Sequence, residues 1–206
     1  MKEILCIIPA RLGSKAIKRK NFVKVGGKKL IQYTIDFAKK FEKKIEILIS
    51  SDYEGIKNIY NNNNLKFYGL RPKKLSKDTT ETIDVLKYEI KKIKKKFKYL
   101  LLLQPTCPIR DVKKVKLAIT KIKQKKIDSV VSVCDVNQYH PLRMKKIKNG
   151  MLVNYIKQKK ENMIPRQKLP KIYIRSGAIY LTKINKLLKN NSIVSGKVFP
   201  IITQGE

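Results

Sequence analysis

Short apolar runs alternate with amphipathic stretches along most of the chain, and this alternation limits the folds that it can adopt. The stretches between the runs carry apolar residues every three or four positions, as helices with one buried face do. Apolar strands separated by helices of about 12 residues indicate βαβ units and a mostly parallel sheet covered on both faces. We therefore predict an α/β fold. The predicted strands are Ile4–Pro9, Ile45–Ser50, Leu65–Tyr68, Tyr99–Leu103 and Ser129–Cys134.

The alternation stops after Val136, where the sequence becomes polar and contains Gly150, Pro165 and Pro170. The apolar run Ile174–Thr182 then predicts a return to the sheet, followed by a short helix and the segment KVFPII. We predict a single domain, 1–206, with 137–173 as an inserted arm.

Composition gives a weaker signal. The 206 residues carry a formal net charge of +34, which is compatible with nucleic-acid binding. Only seven of the 49 basic residues are arginines, however, and the lysines are spread over nearly every predicted helix and loop. A general lysine bias explains this better than a dedicated surface, so we expect no specific nucleic-acid partner. No apolar run reaches the roughly 18 residues of a transmembrane helix. We expect no membrane partner and a cytoplasmic location.

Four predicted loops lie beyond the carboxyl ends of the strands and should therefore meet in one crevice. Sheets of this kind bind their ligands at that edge. The first loop, Ala10–Asn21, is strongly basic. Gly13 and Ser14 let backbone amides approach a phosphate, and Arg11, Lys15 and Lys20 supply positive charge. On spacing alone, this loop is either an anion site or one more basic surface segment. The other three loops are 51–52, 69–82 and 104–111.

The motif IIPARLGSKAIKRKN resembles the N-terminal signature of the acylneuraminate cytidylyltransferase (CMP-sialic acid synthetase) family, which includes pseudaminic and legionaminic acid cytidylyltransferases. Further similar motifs follow in the same order over essentially the whole chain. They are LRPKKLSKDTTET, LLLQPTCPIR, SVVSV with HPLRM, IPRQKLP and SGAIYLT.

The resemblance implies a Rossmann-like sheet of the nucleotide-diphospho-sugar transferase type. It also implies that a sugar-acid hydroxyl attacks the α-phosphate of CTP, forming a CMP-sugar and releasing pyrophosphate. Such a transfer depends mainly on positioning and charge neutralisation. Lys20 and Arg11 are the implied catalytic residues. The implied nucleotide-binding residues are Ser14, Lys15, Asn21, Arg71, Asp78, Thr79 and Thr82.

The sugar site implied by the resemblance contains Gln104, Arg166 and Arg175, since a guanidinium can bind a carboxylate through two hydrogen bonds. The arm would reach across a homodimer, so that Arg166 would serve the neighbouring site. Each residue also has a structural alternative: the segment 78–82 can start a helix with Thr80 as its cap, and Gln104 can fix its own turn. His140, the only histidine, is predicted to be structural.

The resemblance also implies Mg²⁺ as cofactor, with ligands that the sequence does not identify. In the family, an acidic D-x-D-T segment follows the region matched here, and this sequence ends at ITQGE before it. This difference leaves open a non-catalytic nucleotide- or sugar-binding relative. A transferase for another acidic sugar, a 3-deoxy-octulosonate cytidylyltransferase, also stays open.

Overall fold

A six-stranded sheet in the order β10–β6–β9–β5–β1–β4 forms the centre of the protein. The computed structural model describes residues 2–14, 17–158 and 163–204. Every pairing in this sheet is parallel except those of β9, which runs antiparallel to β5 and β6. The strands are β1 (Ile4–Pro9), β2 (Lys24–Val25), β3 (Lys28–Lys29), β4 (Ile45–Ser50), β5 (Tyr99–Leu102), β6 (Ser129–Asp135), β7 (Lys145–Lys148), β8 (Met151–Asn154), β9 (Tyr173–Lys183) and β10 (Val198–Thr203). The α-helices are α1 (Leu30–Lys39), α2 (Ile56–Asn62), α3 (Thr82–Lys92), α4 (Val112–Ile122) and α5 (Ile184–Asn190).

Strand β1 shows why the central strands are apolar throughout. Successive side chains of a strand point to opposite faces. Cys6 and Ile8 therefore pack into the core beneath α1, α2 and α4, whereas Leu5 and Ile7 pack into the core beneath α3 and α5. Both faces of the sheet are covered, and the predicted mostly parallel α/β sheet is confirmed.

One predicted strand is wrong. The segment 65–68 is not a strand, although Leu65 and Phe67 pack against the core. Its side chains fix it instead: Phe67 meets the Tyr60 ring edge-on at 5.2 Å, and the Tyr68 hydroxyl donates to Glu46 Oε1 at 2.7 Å. Its apolar character therefore serves side-chain packing rather than a strand pairing.

The region between β6 and β9 contains the β7–β8 hairpin, which pairs only with itself within the described residues. Its side chains are mostly exposed, among them Ile147, Met151 and Leu152. The described part of the chain contains no helix that is both long and apolar enough to cross a membrane.

Candidate active site

A cavity of about 320 Å³ lies at the carboxyl end of the sheet, where the loop after β1, the segment before α3 and the loop after β5 converge. Three of the four predicted loops line it. The fourth, 51–52, lies behind it and holds the other walls: the Ser51 carbonyl accepts the Arg71 N–H at 2.8 Å, and Asp52 accepts the Leu12 N–H at 2.8 Å. The predicted convergence is what the structure shows.

The loop after β1 supplies Arg11, Gly13, Ser14, Lys20 and Asn21 to the lining. The buried side chain of Asn21 donates from Nδ2 to the Arg11 carbonyl at 3.1 Å and so fixes the two ends of the loop against each other. The predicted residue Lys15 lies outside the described residues.

The segment before α3 supplies the other cationic wall. Arg71, which is only 5% exposed, donates from Nε to Ser76 Oγ at 3.2 Å. Its Nη2 is buried and has no hydrogen-bond partner among the described residues. Burial lowers the pKa of the guanidinium, while the carboxylates of Asp52 and Glu89 act in the opposite direction. A buried N–H without a partner costs free energy.

Asp78 contributes a carboxylate to the same wall. Its Oδ1 lies 2.5 Å from Arg11 Nη1, so that the two loops are joined across the cavity by an ion pair. Among the described lining residues, Arg11, Lys20, Arg71 and Lys77 carry positive charge and Asp78 carries negative charge. The cavity is therefore suited to an anion.

The threonines of this wall only partly follow the prediction. Thr82, the first residue of α3, lines the cavity, whereas Thr79 is exposed and does not. Thr80 lines it instead. The structural alternative for this segment, with Thr80 as the cap of α3, does not occur: Glu81 occupies the N-cap position without a side-chain hydrogen bond. The amino-terminal turn of α3 thus faces the cavity, where its dipole favours anions.

The loop after β5 carries Gln104, Pro105 and Thr106 into the lining. Arg110, a residue that the sequence did not single out, holds this loop in place. Its Nη2 donates to the Gln104 carbonyl, its Nε to the Ala178 carbonyl at 2.8 Å and its Nη1 to Thr34 Oγ1 at 3.1 Å. Its place at the end of the LLLQPTCPIR motif is the sequence signal that could have identified it.

Gly177 on β9 lets the loop after β5 approach closely. Its φ of +85° is unfavourable for residues with a Cβ, and a Cβ there would lie 3.1 Å from Cys107 Sγ and 3.4 Å from Gln104 Oε1. A Cβ at this position would therefore press chiefly on Cys107, in the same loop as Gln104.

Arg166 and Arg175 do not line this cavity. Arg166 donates from Nη2 to Asn137 Oδ1 at 2.7 Å and lines a second cavity of about 570 Å³ at the base of the arm. Arg175 is exposed on β9. His140 is buried, with Nε2 3.1 Å from the Pro170 carbonyl and Nδ1 accepting the Leu142 N–H at 3.2 Å, so its predicted structural role is confirmed.

The described residues lack a preformed group of metal ligands. They contain no cluster of three or more acidic, histidine or cysteine side chains that could hold a metal ion. Mg²⁺ in proteins is commonly held by one or two carboxylates together with substrate phosphates. The acidic residue of the described lining, Asp78, is already in contact with Arg11.

Comparison with known proteins identifies the family. A family model described as cytidylyltransferase matches residues 5–193. The chain belongs to the cytidylyltransferase family. Its members are nucleotidyltransferases, and the predicted enzyme class is confirmed.

Individual relatives agree with this assignment. The chain is 30% identical to a CMP-N,N'-diacetyllegionaminic acid synthase of Legionella pneumophila over 97% of its length and 86% of that protein. It is also 30% identical to an N-acylneuraminate cytidylyltransferase of Streptococcus agalactiae over 97% of its length, but it spans only 48% of that enzyme.

A solved structure of CMP:2-keto-3-deoxy-manno-octonic acid synthetase complexed with CTP has the same fold. Its TM-score is 0.71 at 15% identity, over 100% of this chain and 92% of that one. At this identity, the likeness shows the fold alone.

Proposed function

We propose that the protein transfers CMP from CTP to a nonulosonic, sialic-acid-like sugar acid and releases pyrophosphate. The observation that carries the proposal is the cavity at the carboxyl end of the sheet. Arg11, Lys20 and Arg71 converge there with the first turn of α3, in a chain of the cytidylyltransferase family. The relatives named above support the choice of sugar.

In the proposed reaction, a hydroxyl oxygen of the sugar acid forms a bond to the α-phosphorus of CTP. The bond from that phosphorus to the oxygen bridging the α- and β-phosphates breaks, pyrophosphate leaves, and the hydroxyl proton passes to solvent. Arg11, Ser14 and Lys20 surround the phosphates, with Lys20 nearest the charge that develops at the α-phosphate. Neutralising that charge by fixed cations is the main protein contribution in this chemistry.

The nucleotide end is assigned to Arg71 and Thr82, with Asn21 bracing the phosphate-binding loop. Lys15 and Thr79 keep the nucleotide-binding roles that the resemblance implies. Mg²⁺ also remains an implied cofactor, and no step above depends on it. When bound, it would neutralise phosphate charge.

Gln104 is the sugar-binding residue that lies in the cavity. Because Arg166 and Arg175 lie outside it, we propose that they reach the sugar acid of a second protomer in a homodimer. The exposed apolar side chains support an interface at the arm: of the 18 large exposed ones among the described residues, 11 lie between Tyr139 and Ile174. A concentration of exposed apolar side chains in one segment is what an interaction site requires.

The experiment is pyrophosphate release from CTP with Mg²⁺ and a panel of acidic sugars: N-acetylneuraminic, legionaminic, pseudaminic and 3-deoxy-octulosonic acids. We expect release with a nine-carbon acid. Release only with the eight-carbon acid would assign the octulosonate reaction instead. CTP binding without release from any sugar would support the non-catalytic relative, and salt-sensitive RNA or DNA binding without CTP affinity would contradict the proposal.

A further inference from the structure

Asp52 connects the two cationic walls of the cavity from behind. It lies two residues after the end of β4, and its side chain is 18% exposed. Its Oδ1 accepts the backbone N–H of Leu12 at 2.8 Å. The same oxygen lies 3.9 Å from Arg71 Nη2, the buried nitrogen that lacks a hydrogen-bond partner among the described residues.

The first contact fixes the loop after β1 at Leu12, beside the cavity. Leu12 lies between Arg11 and Gly13, both of which line the cavity. A hydrogen bond to a charged acceptor is among the stronger ones in proteins. Asp52 therefore sets how far Arg11 and the amides after it extend into the cavity.

The second contact is electrostatic. Arg11 and Arg71 line the same cavity, and the charge of Arg11 acts on Arg71 to lower its pKa, whereas the charge of Asp52 acts to raise it. Because the separation of 3.9 Å exceeds hydrogen-bonding distance, Asp52 balances the charge of Arg71 without accepting a hydrogen bond from its Nη2.

We propose that Asp52 is a positioning residue for CTP: it holds the loop after β1 and the Arg71 guanidinium in one geometry without touching the nucleotide. This inference rests on the proposed function. It gives Asp52 a role in turnover, which neither the motif resemblance nor the lining of the cavity indicates.

The test uses two substitutions of the full chain. Asp52→Asn keeps an oxygen that can accept the Leu12 N–H but removes the charge near Arg71, whereas Asp52→Ala removes both. Asp36→Ala is the matched control. Asp36 is also an ion-paired acid, but its partners are Lys28 on β3 and Gln32 on α1, outside the cavity lining. For each protein, kcat and KM are measured separately for CTP and for the sugar acid, together with the CTP dissociation constant by calorimetry and the thermal midpoint.

We expect kcat/KM for CTP to fall about tenfold or more in Asp52→Ala and about three- to fivefold in Asp52→Asn. The KM for the sugar acid should stay within twofold, and Asp36→Ala should match the wild type. A purely structural role would raise both KM values together and lower the thermal midpoint.

Wild-type values for CTP in Asp52→Ala would overturn the proposal, as would a parallel loss for both substrates or an equal loss in Asp36→Ala. If the wild type binds CTP but no sugar supports turnover, the CTP dissociation constants of the same variants decide the role of Asp52. A wild type that does not bind CTP would instead overturn the proposed function, and the inference with it.

Discussion

The Arg11–Asp78 ion pair predicts that one substitution tightens nucleotide binding. The Asp78 carboxylate contacts the guanidinium that we assign to the phosphates of CTP, at 2.5 Å. A phosphate that binds Arg11 must displace that contact. Asp78→Asn removes the competing charge while keeping the size of the side chain, so CTP should bind the variant more tightly than the wild type.

The magnitude follows from the exposure of the pair. The two side chains are 31% and 36% exposed, and ion pairs open to solvent are typically worth about 0.2–1 kcal/mol. Since about 1.4 kcal/mol corresponds to a factor of ten, the dissociation constant should fall by a factor of about 1.4 to 5. The advantage should shrink as salt rises, because exposed charges are screened.

Isothermal titration calorimetry of CTP at low and high salt measures this directly. Asp84→Asn is the control, because Asp84 is an exposed acid on α3 outside the cavity lining. Weaker CTP binding by Asp78→Asn would refute the reasoning, and would instead favour the direct nucleotide contact that the motif resemblance implies for Asp78.

Three further predictions test the surroundings of the cavity. Lys20→Ala should lower turnover by about 100-fold or more in steady-state assays while changing the free energy of unfolding in urea by less than about 0.5 kcal/mol. Lys24→Ala, at an exposed lysine, is the control, and unchanged turnover in Lys20→Ala would remove Lys20 from the mechanism. Gly177→Ala should cost about 1–2 kcal/mol in urea unfolding because of its φ of +85°, and it should raise the KM for the sugar acid because the added Cβ would press on Cys107 in the loop that carries Gln104. Gly27→Ala, with a φ of +78° and open space around its Cβ, should show the backbone strain alone, and equal effects of the two variants on activity would contradict this. The pKa of Asp128 is lowered, chiefly by the hydrogen bond from the Lys197 N–H, so the stabilisation by this carboxylate is present above the unfolded-state pKa of about 3.9 and is lost as the pH falls through the lowered value. Asp128→Asn should therefore be less stable than the wild type at pH 7 and equally stable near pH 2. A difference in urea midpoint that does not change with pH would contradict this.

The central strands could be predicted from the sequence because burial on both faces leaves a continuous apolar run, as in Ile4–Pro9. The apolar run at 65–68 shows the same pattern but is not a strand, because the local sequence does not determine whether a segment pairs with a neighbouring strand. Helix α2 was not predicted, since its Asn-rich sequence has weak helix propensity. Tertiary contacts support it instead, as the Tyr60 hydroxyl bonds both the N–H and the carbonyl of Ile49 at 2.7 and 2.8 Å.

The position of the site could be predicted because parallel strands bring their following loops to one edge. Details within a loop could not: which of Thr79 and Thr80 faces the cavity depends on how the chain enters α3. The ion pair between Arg11 and Asp78 joins segments far apart in sequence, and the anchoring of Leu12 by Asp52 does the same. Such pairings follow from the folded arrangement rather than from local spacing.

The most direct test of the central claim is CTP binding followed by sugar-dependent pyrophosphate release, measured on one preparation of the wild-type chain. The cationic cavity predicts saturable CTP binding that weakens with salt, and pyrophosphate release that requires a nine-carbon sugar acid. Absence of CTP binding at low salt would contradict the assignment of this cavity to the nucleotide.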